Sequence, residues 1–116
     1  MSRKLVNRIC RKLPGAEHSD PWGGGHDCWK VGGKMFALTG ASSGGVSVKT
    51  PDLETAYMLQ DLEVAEKAPY LHRSWVLLPW GRIGDAELRD RIHLSYQIIR
   101  GGLPKKVQAA LDPFPG

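Results

Sequence analysis

The sequence predicts an α+β domain in which an antiparallel sheet of about five short strands is combined with four amphipathic helices. Three observations carry that expectation. Val46, Val48 and Thr50 alternate with Ser47 and Lys49, the period of two of a half-buried strand. The runs 27–31, 34–39 and 46–50 are joined by turns too short for a crossover, so neighbouring strands must run antiparallel. Residues 2–13 and 85–100 instead repeat their apolar positions at helical spacing.

The first helix, over 2–13, gathers Leu5, Val6, Ile9, Cys10 and Leu13 on one arc. Arg3, Lys4, Arg8, Arg11 and Lys12 fall on the other, with Ser2 as N-cap and Pro14-Gly15 as the stop. Residues 17–25 read as a loop, in which Trp22 is expected to plug the edge of the core because tryptophan is highly buried on average. In the meander, Gly32-Gly33 supplies the positive φ of a two-residue hairpin, and 41–45 is a looser small-residue turn. The second helix spans 51–61, with Thr50 as N-cap and Pro51 at its first position. Two extended segments follow at 68–71 and 75–78, joined by the turn His72-Arg73-Ser74; Pro69 confines the first to an edge or a strand start. The third helix starts with Asp85 as N-cap, carries Leu88, Ile92, Ser95, Tyr96 and Ile99 on its stripe, and ends at Gly101-Gly102. A short basic helix begins at Pro104.

At 116 residues the chain is expected to form one domain, 1–116, around a single core. No apolar run approaches the roughly 18 residues of a membrane span. The N-terminus lacks a secretory pattern, and two cysteines in separate elements suggest reduced thiols, so a cytoplasmic location is expected. The net charge of +4 and pI of about 9.3 favour polyanionic partners. The first helix is the densest positive surface, and Arg8, Arg11 and Lys12 are its candidate phosphate contacts, against the plainer reading of a solvated helix face. On the sheet, Lys30, Lys34 and Lys49 are candidates for a face left open to water.

Catalytic and metal chemistry is not visible. His18, Asp20, His26 and Cys28 form the nearest approach to a ligand set, but their spacing matches no zinc module. Cys28 has no recognisable nucleophile context, and no residue set supplies a nucleophile, a base and an orienting group. The chain is therefore expected to be no enzyme, with no catalytic residues, metal or cofactor.

Several segments together resemble the bacterial MmcQ/YjbR-like family. They are LPGAEHSDPWG (13–23), KVGGKMFALTG (30–40), VSVKT (46–50), APYL (68–71), SWVLL (74–78), LSYQII (94–99) and LPKK (103–106). The resemblance implies a two-layer domain with helices on one face of the sheet, an architecture similar to frataxin-like and secretion-chaperone-like folds. Relatives commonly carry the label DNA-binding. Carried onto this chain, the resemblance singles out Trp22, Lys34, Phe36, Lys49, Tyr70, Arg73, Trp75, Ser95 and Tyr96. Of these, Phe36, Trp75 and Tyr96 are expected to pack in the core or at its edge, and Lys34, Lys49 and Arg73 to converge on one anionic feature. The expected function is nucleic-acid binding, weak and largely independent of sequence, by a monomer using Lys34, Lys49, Arg73 and Trp75 with Arg8, Arg11 and Lys12. The alternative is a protein-interaction module that offers its open sheet face to an unidentified protein partner.

Overall fold

The computed structural model of the chain describes residues 2–40 and 44–114. The element order is α1 (Arg3–Arg11), β1 (Glu17–Ser19), β2 (Asp27–Val31), β3 (Lys34–Thr39), β4 (Gly45–Lys49), α2 (Leu53–Asp61), β5 (Glu66–Lys67), β6 (Trp75–Pro79), α3 (Asp85–Gly101) and α4 (Lys105–Ala109). Ser2 caps α1 by accepting from the Leu5 N–H at 3.2 Å. The α1 stripe then buries Val6, Ile9, Cys10 and Leu13, so the basic arc is left outside, as amphipathic spacing requires.

Six strands form one antiparallel sheet in the order β1-β2-β3-β4-β6-β5. Four details depart from the sequence expectation. Residues 17–19, read as loop, add the edge strand β1. The segment 68–71 is not a strand: pairing with β6 stops at Lys67, Pro69 has no N–H to extend a ladder, and Tyr70 turns the chain with φ 63°. Asp52, not Thr50, caps α2, accepting from the Thr55 N–H at 2.7 Å. Thr50 is engaged elsewhere, its hydroxyl donating to the Ser74 carbonyl at 2.6 Å. Gly84 rather than Asp85 holds the N-cap position of α3. Residues 41–43 of the expected turn lie outside the described residues.

Alternation sorts the sheet into two sides. Val46, Val48, Val76 and Leu78 point into a core shared with Leu88 and Ile92 of α3 and with Val6 and Ile9 of α1. Their strand neighbours Ser47, Lys49, Trp75 and Leu77 therefore face the other way, and pairing places Lys49 beside Trp75 and Ser47 beside Leu77. Leu38 belongs to that outer side too, because it pairs with Ser47 and Cys28. Cys10 packs on the helix side and Cys28 on the outer side, with the sheet between them, and both are free thiols. The helices thus cover one face, in keeping with the two-layer expectation.

One irregularity fixes how α3 meets the sheet. Trp29 pairs with Ala37 and Lys30 with Met35, so Phe36 is an extra residue in β3. Such a bulge turns consecutive side chains to one face; Phe36 and Ala37 are both fully buried. Phe36 stacks edge-on to Tyr96 at 5.3 Å, and burial of a phenyl ring of this size contributes about 2 to 3 kcal/mol. The β3–β4 pairing ends at Ala37 with Val48. Beyond it the Ser95 hydroxyl stands between the strands, accepting from the Lys49 N–H at 2.9 Å and donating to the Phe36 carbonyl at 2.6 Å.

Candidate nucleic-acid interface

Ser95 fixes the Lys49 backbone, and the alternation of β4 sends the Lys49 side chain to the outer face. There its ammonium donates to the Ser74 hydroxyl. That hydroxyl in turn lies 2.8 Å from His72 Nδ1. The Ser74 N–H also points at His72 Nδ1, at 3.1 Å, so Nδ1 is an acceptor and the ring proton belongs on Nε2. The result is a directed chain from Lys49 through Ser74 to His72. Its unused ends, the remaining ammonium protons and the imidazole Nε2–H, are donors only, and a donor-only rim suits an anion. Exposed Arg73 sits within the same turn. Ser74 is only 3% exposed, so its oxygen is shielded while the cationic groups around it are reachable.

The connection that holds this cluster also supplies an aromatic surface. Tyr70 is fully exposed and occupies the left-handed region at φ 63°, a conformation a tyrosine adopts only against resistance. Opposite it, the loop 20–26 presents Trp22, 62% exposed, against the expectation of a plug. The loop is shaped by the Asp20 carboxylate, which accepts the N–H groups of Gly25 at 2.9 Å and His26 at 3.1 Å. Those bonds, Gly25 first, hold the Asp20 carboxyl below its ordinary range. With its polar atoms so occupied, the loop turns Trp22 outward, where it packs edge-on to His26 at 5.1 Å. Trp22, Tyr70, His26 and Leu71 enclose a pocket of about 320 Å³ with Leu38 of the sheet in its lining.

The residues proposed from sequence divide among separate places. Lys49 and Arg73 come together at the turn 72–74. Trp75 shares their face but is 9% exposed, so Trp22 and Tyr70 are the rings open to a ligand. Lys34 pairs with Val31, whose side chain is in the core; the lysine is exposed but on the helix side of the sheet end, away from Lys49. Arg8 and Lys12 lie between α1 and α3. Arg11 sits 5.7 Å over the Trp29 ring. A single convergence of Lys34, Lys49 and Arg73 is therefore not formed, because the pairing register sends Lys34 to the opposite side.

Sequence reading missed a second polar cluster. The Asp27 carboxylate accepts from Arg3 Nε at 2.5 Å, from Asn7 Nδ2 at 2.9 Å, and meets His18 Nε2 at 2.6 Å. Asn7 in turn accepts from the Trp29 indole at 2.9 Å. Burial works against the Asp27 charge, but the bonds from Arg3, Asn7 and His18 outweigh it and hold the carboxyl well below the usual carboxylate range. This cluster clasps α1 to β1 and β2 at the sheet edge. It also separates the metal-like set: His18 is turned to Asp27, and His26 Nδ1 faces Asp20 at 3.6 Å. Among the described residues no group of three or more such side chains is placed to hold a metal ion.

A family model described as YjbR matches residues 11–98 of the chain. The chain is 30% identical over 115 residues to the uncharacterized protein YbdF of Escherichia coli O157:H7, covering 95% of this chain and 93% of that protein. The fold is similar to the crystal structure of Deinococcus radiodurans protein DR2400, family-model domain DUF419. That likeness has a TM-score of 0.80, covers 90% of this chain and 83% of the other, and comes with 22% identity.

Proposed function

The chain belongs to the YjbR family, and from that premise we propose that it is a non-catalytic binder of single-stranded nucleic acid, using the outer face of its sheet. Lys49, Arg73 and His72 contact phosphate oxygens, and Trp22 and Tyr70 take bases against their rings. The observation that supports this reading is the connection 68–74: it carries the exposed Tyr70 beside the aromatic pocket and, starting two residues on, the donor cluster of the turn 72–74. Charge at this spacing supplies affinity without sequence readout, and ring stacking accepts any base. Single strands are favoured over duplex because a stacked base must be free of its partner.

Fluorescence anisotropy with a labelled single strand and its duplex tests this at two salt concentrations. The single strand is expected to bind more tightly, with affinity falling as salt rises. Replacing Lys49 and Arg73 by Gln is expected to flatten the log–log salt slope by about 1 to 1.5, on the basis of roughly 0.7 per phosphate contact on a single strand. Absence of binding at low salt removes the reading.

A second reading, a protein-interaction module, is favoured by a different observation. Tyr57, Met58 and Leu62 are exposed on and just after α2, 43%, 47% and 63% respectively, and grouped apolar exposure marks contact surfaces. Under this reading, sedimentation or partner capture depends on those residues and is indifferent to Lys49 and Arg73.

A further inference from the structure

On the helix side a groove of about 450 Å³ runs between α1 and α3, within the size range of small-molecule sites. Its floor is apolar, formed by Leu5 and Ile9 of α1 and by Leu13 just after it, at i, i+4 spacing, with Phe114 beyond. Its walls carry Arg8 from α1, Lys12 at the α1 C-cap and Arg89 from α3, and among the described residues no carboxylate lines it. Among the described residues none of these three cations takes part in an ion pair. Three cations lining one concave surface leave a positive potential that an anion relieves. His93, also in the lining, is stacked edge-on to Phe114 at 5.2 Å. Its burial, and then the neighbouring Arg89, press it toward the neutral ring against the opposing pull of Asp90.

We propose that this groove binds a small anionic amphiphile, with a carboxylate or phosphate head held by Arg8, Lys12 and Arg89 and an apolar body laid on Leu5, Ile9, Leu13 and Phe114. The division of the lining selects this occupant. A nucleic-acid backbone is polar along its whole length and would leave the apolar floor unused. A neutral hydrocarbon would leave the three cations unanswered. The site lies on the opposite side of the sheet from Trp22, Tyr70 and Lys49, so it stands whether or not the outer face binds nucleic acid.

Calorimetric titration of the full chain with decanoate tests the proposal, with decanol and inorganic phosphate as controls. Decanoate is expected to bind saturably at one site, at least tenfold more tightly than either control. A variant with Arg8→Gln, Lys12→Gln and Arg89→Gln is expected to lose at least tenfold in affinity. All three side chains are at the surface, so its melting temperature is expected to match the parent, which separates loss of binding from loss of fold. Trp22→Ala with Tyr70→Ala is expected to leave decanoate binding unchanged. Absence of saturable binding overturns the proposal. So does equal binding of decanol, or undiminished binding in the charge variant. Displacement of decanoate by a single-stranded oligonucleotide, with oligonucleotide affinity lost in the same variant, also overturns it by making the groove a phosphate track.

Discussion

Ser95 sits mid-helix, fully buried, and links a strand donor, the Lys49 N–H, to a strand acceptor, the Phe36 carbonyl. Ser95→Ala would leave the Lys49 N–H and the Phe36 carbonyl unpaired, at a cost of about 2 to 4 kcal/mol for two buried groups. Urea unfolding measures it; a loss under 1 kcal/mol would mean that the strands close up and pair directly. Asp27 makes a second residue-scale prediction. Its folded carboxyl titrates below its unfolded value, so its contribution is complete above the ordinary carboxylate value of about 4 and drains as pH falls toward the lowered one. Asp27→Asn is expected to cost about 2 kcal/mol at pH 7, the scale of a hydrogen bond to a charged group. The difference from the parent should narrow in urea melts between pH 5 and pH 3, and a pH-independent gap would refute the assignment. At Tyr70 the left-handed backbone costs roughly 1 to 2 kcal/mol for an ordinary side chain. Asparagine tolerates that region, so Tyr70→Asn is expected to hold or raise the melting temperature while weakening single-strand binding. A fall in both would assign the ring to packing.

At the scale of elements, β4 and β6 approach closely at Gly45. A Cβ on Gly45 would lie 2.0 Å from the Leu78 carbonyl oxygen, so Gly45→Ala must force the strands apart. The expected loss is about 2 to 3 kcal/mol, typical of overpacking against backbone, read as a lower denaturation midpoint. The β2–β3 hairpin was legible in sequence because its Gly32-Gly33 turn has one backbone solution, and both glycines take positive φ. The helices were legible from apolar spacing. β1 was not: Glu17–Ser19 is short and carries no apolar alternation, and it is a strand only because β2 offers it a partner. The reverse error at 68–71 arose because its apolar and aromatic residues look like strand, whereas pairing is lost at Pro69.

At the scale of the whole molecule, the sheet separates two surfaces with different chemistry. The outer face combines exposed rings with a donor cluster; the helix side combines an apolar floor with three cations. Changes on one side share no partner with changes on the other, so their energetic effects are expected to add. A variant combining Lys49→Gln, Arg73→Gln and Arg89→Gln should therefore lose single-strand affinity by as much as the Lys49/Arg73 pair alone, and decanoate affinity by as much as Arg89→Gln alone. A cooperative deviation above about 0.5 kcal/mol would reveal coupling through the sheet. Among the described residues no helix is long and apolar enough to cross a membrane.

The sequence by itself determined the α+β class, the helix stripes and the glycine turn, because each is set by local periodicity or by a backbone preference that neighbours cannot override. It also marked the basic and aromatic residues that bear the candidate chemistry. Only the tertiary structure decided which of them meet. Strand side chains alternate, so a register unreadable from sequence placed Lys49 on one side of the sheet and Lys34 on the other. The loop bonds of Asp20 exposed Trp22, a ring expected to be buried, and the turn at Tyr70 set a second exposed ring beside it. The pairing of α1 with α3 then assembled Arg8, Lys12 and Arg89, residues up to 81 positions apart in sequence, around one groove.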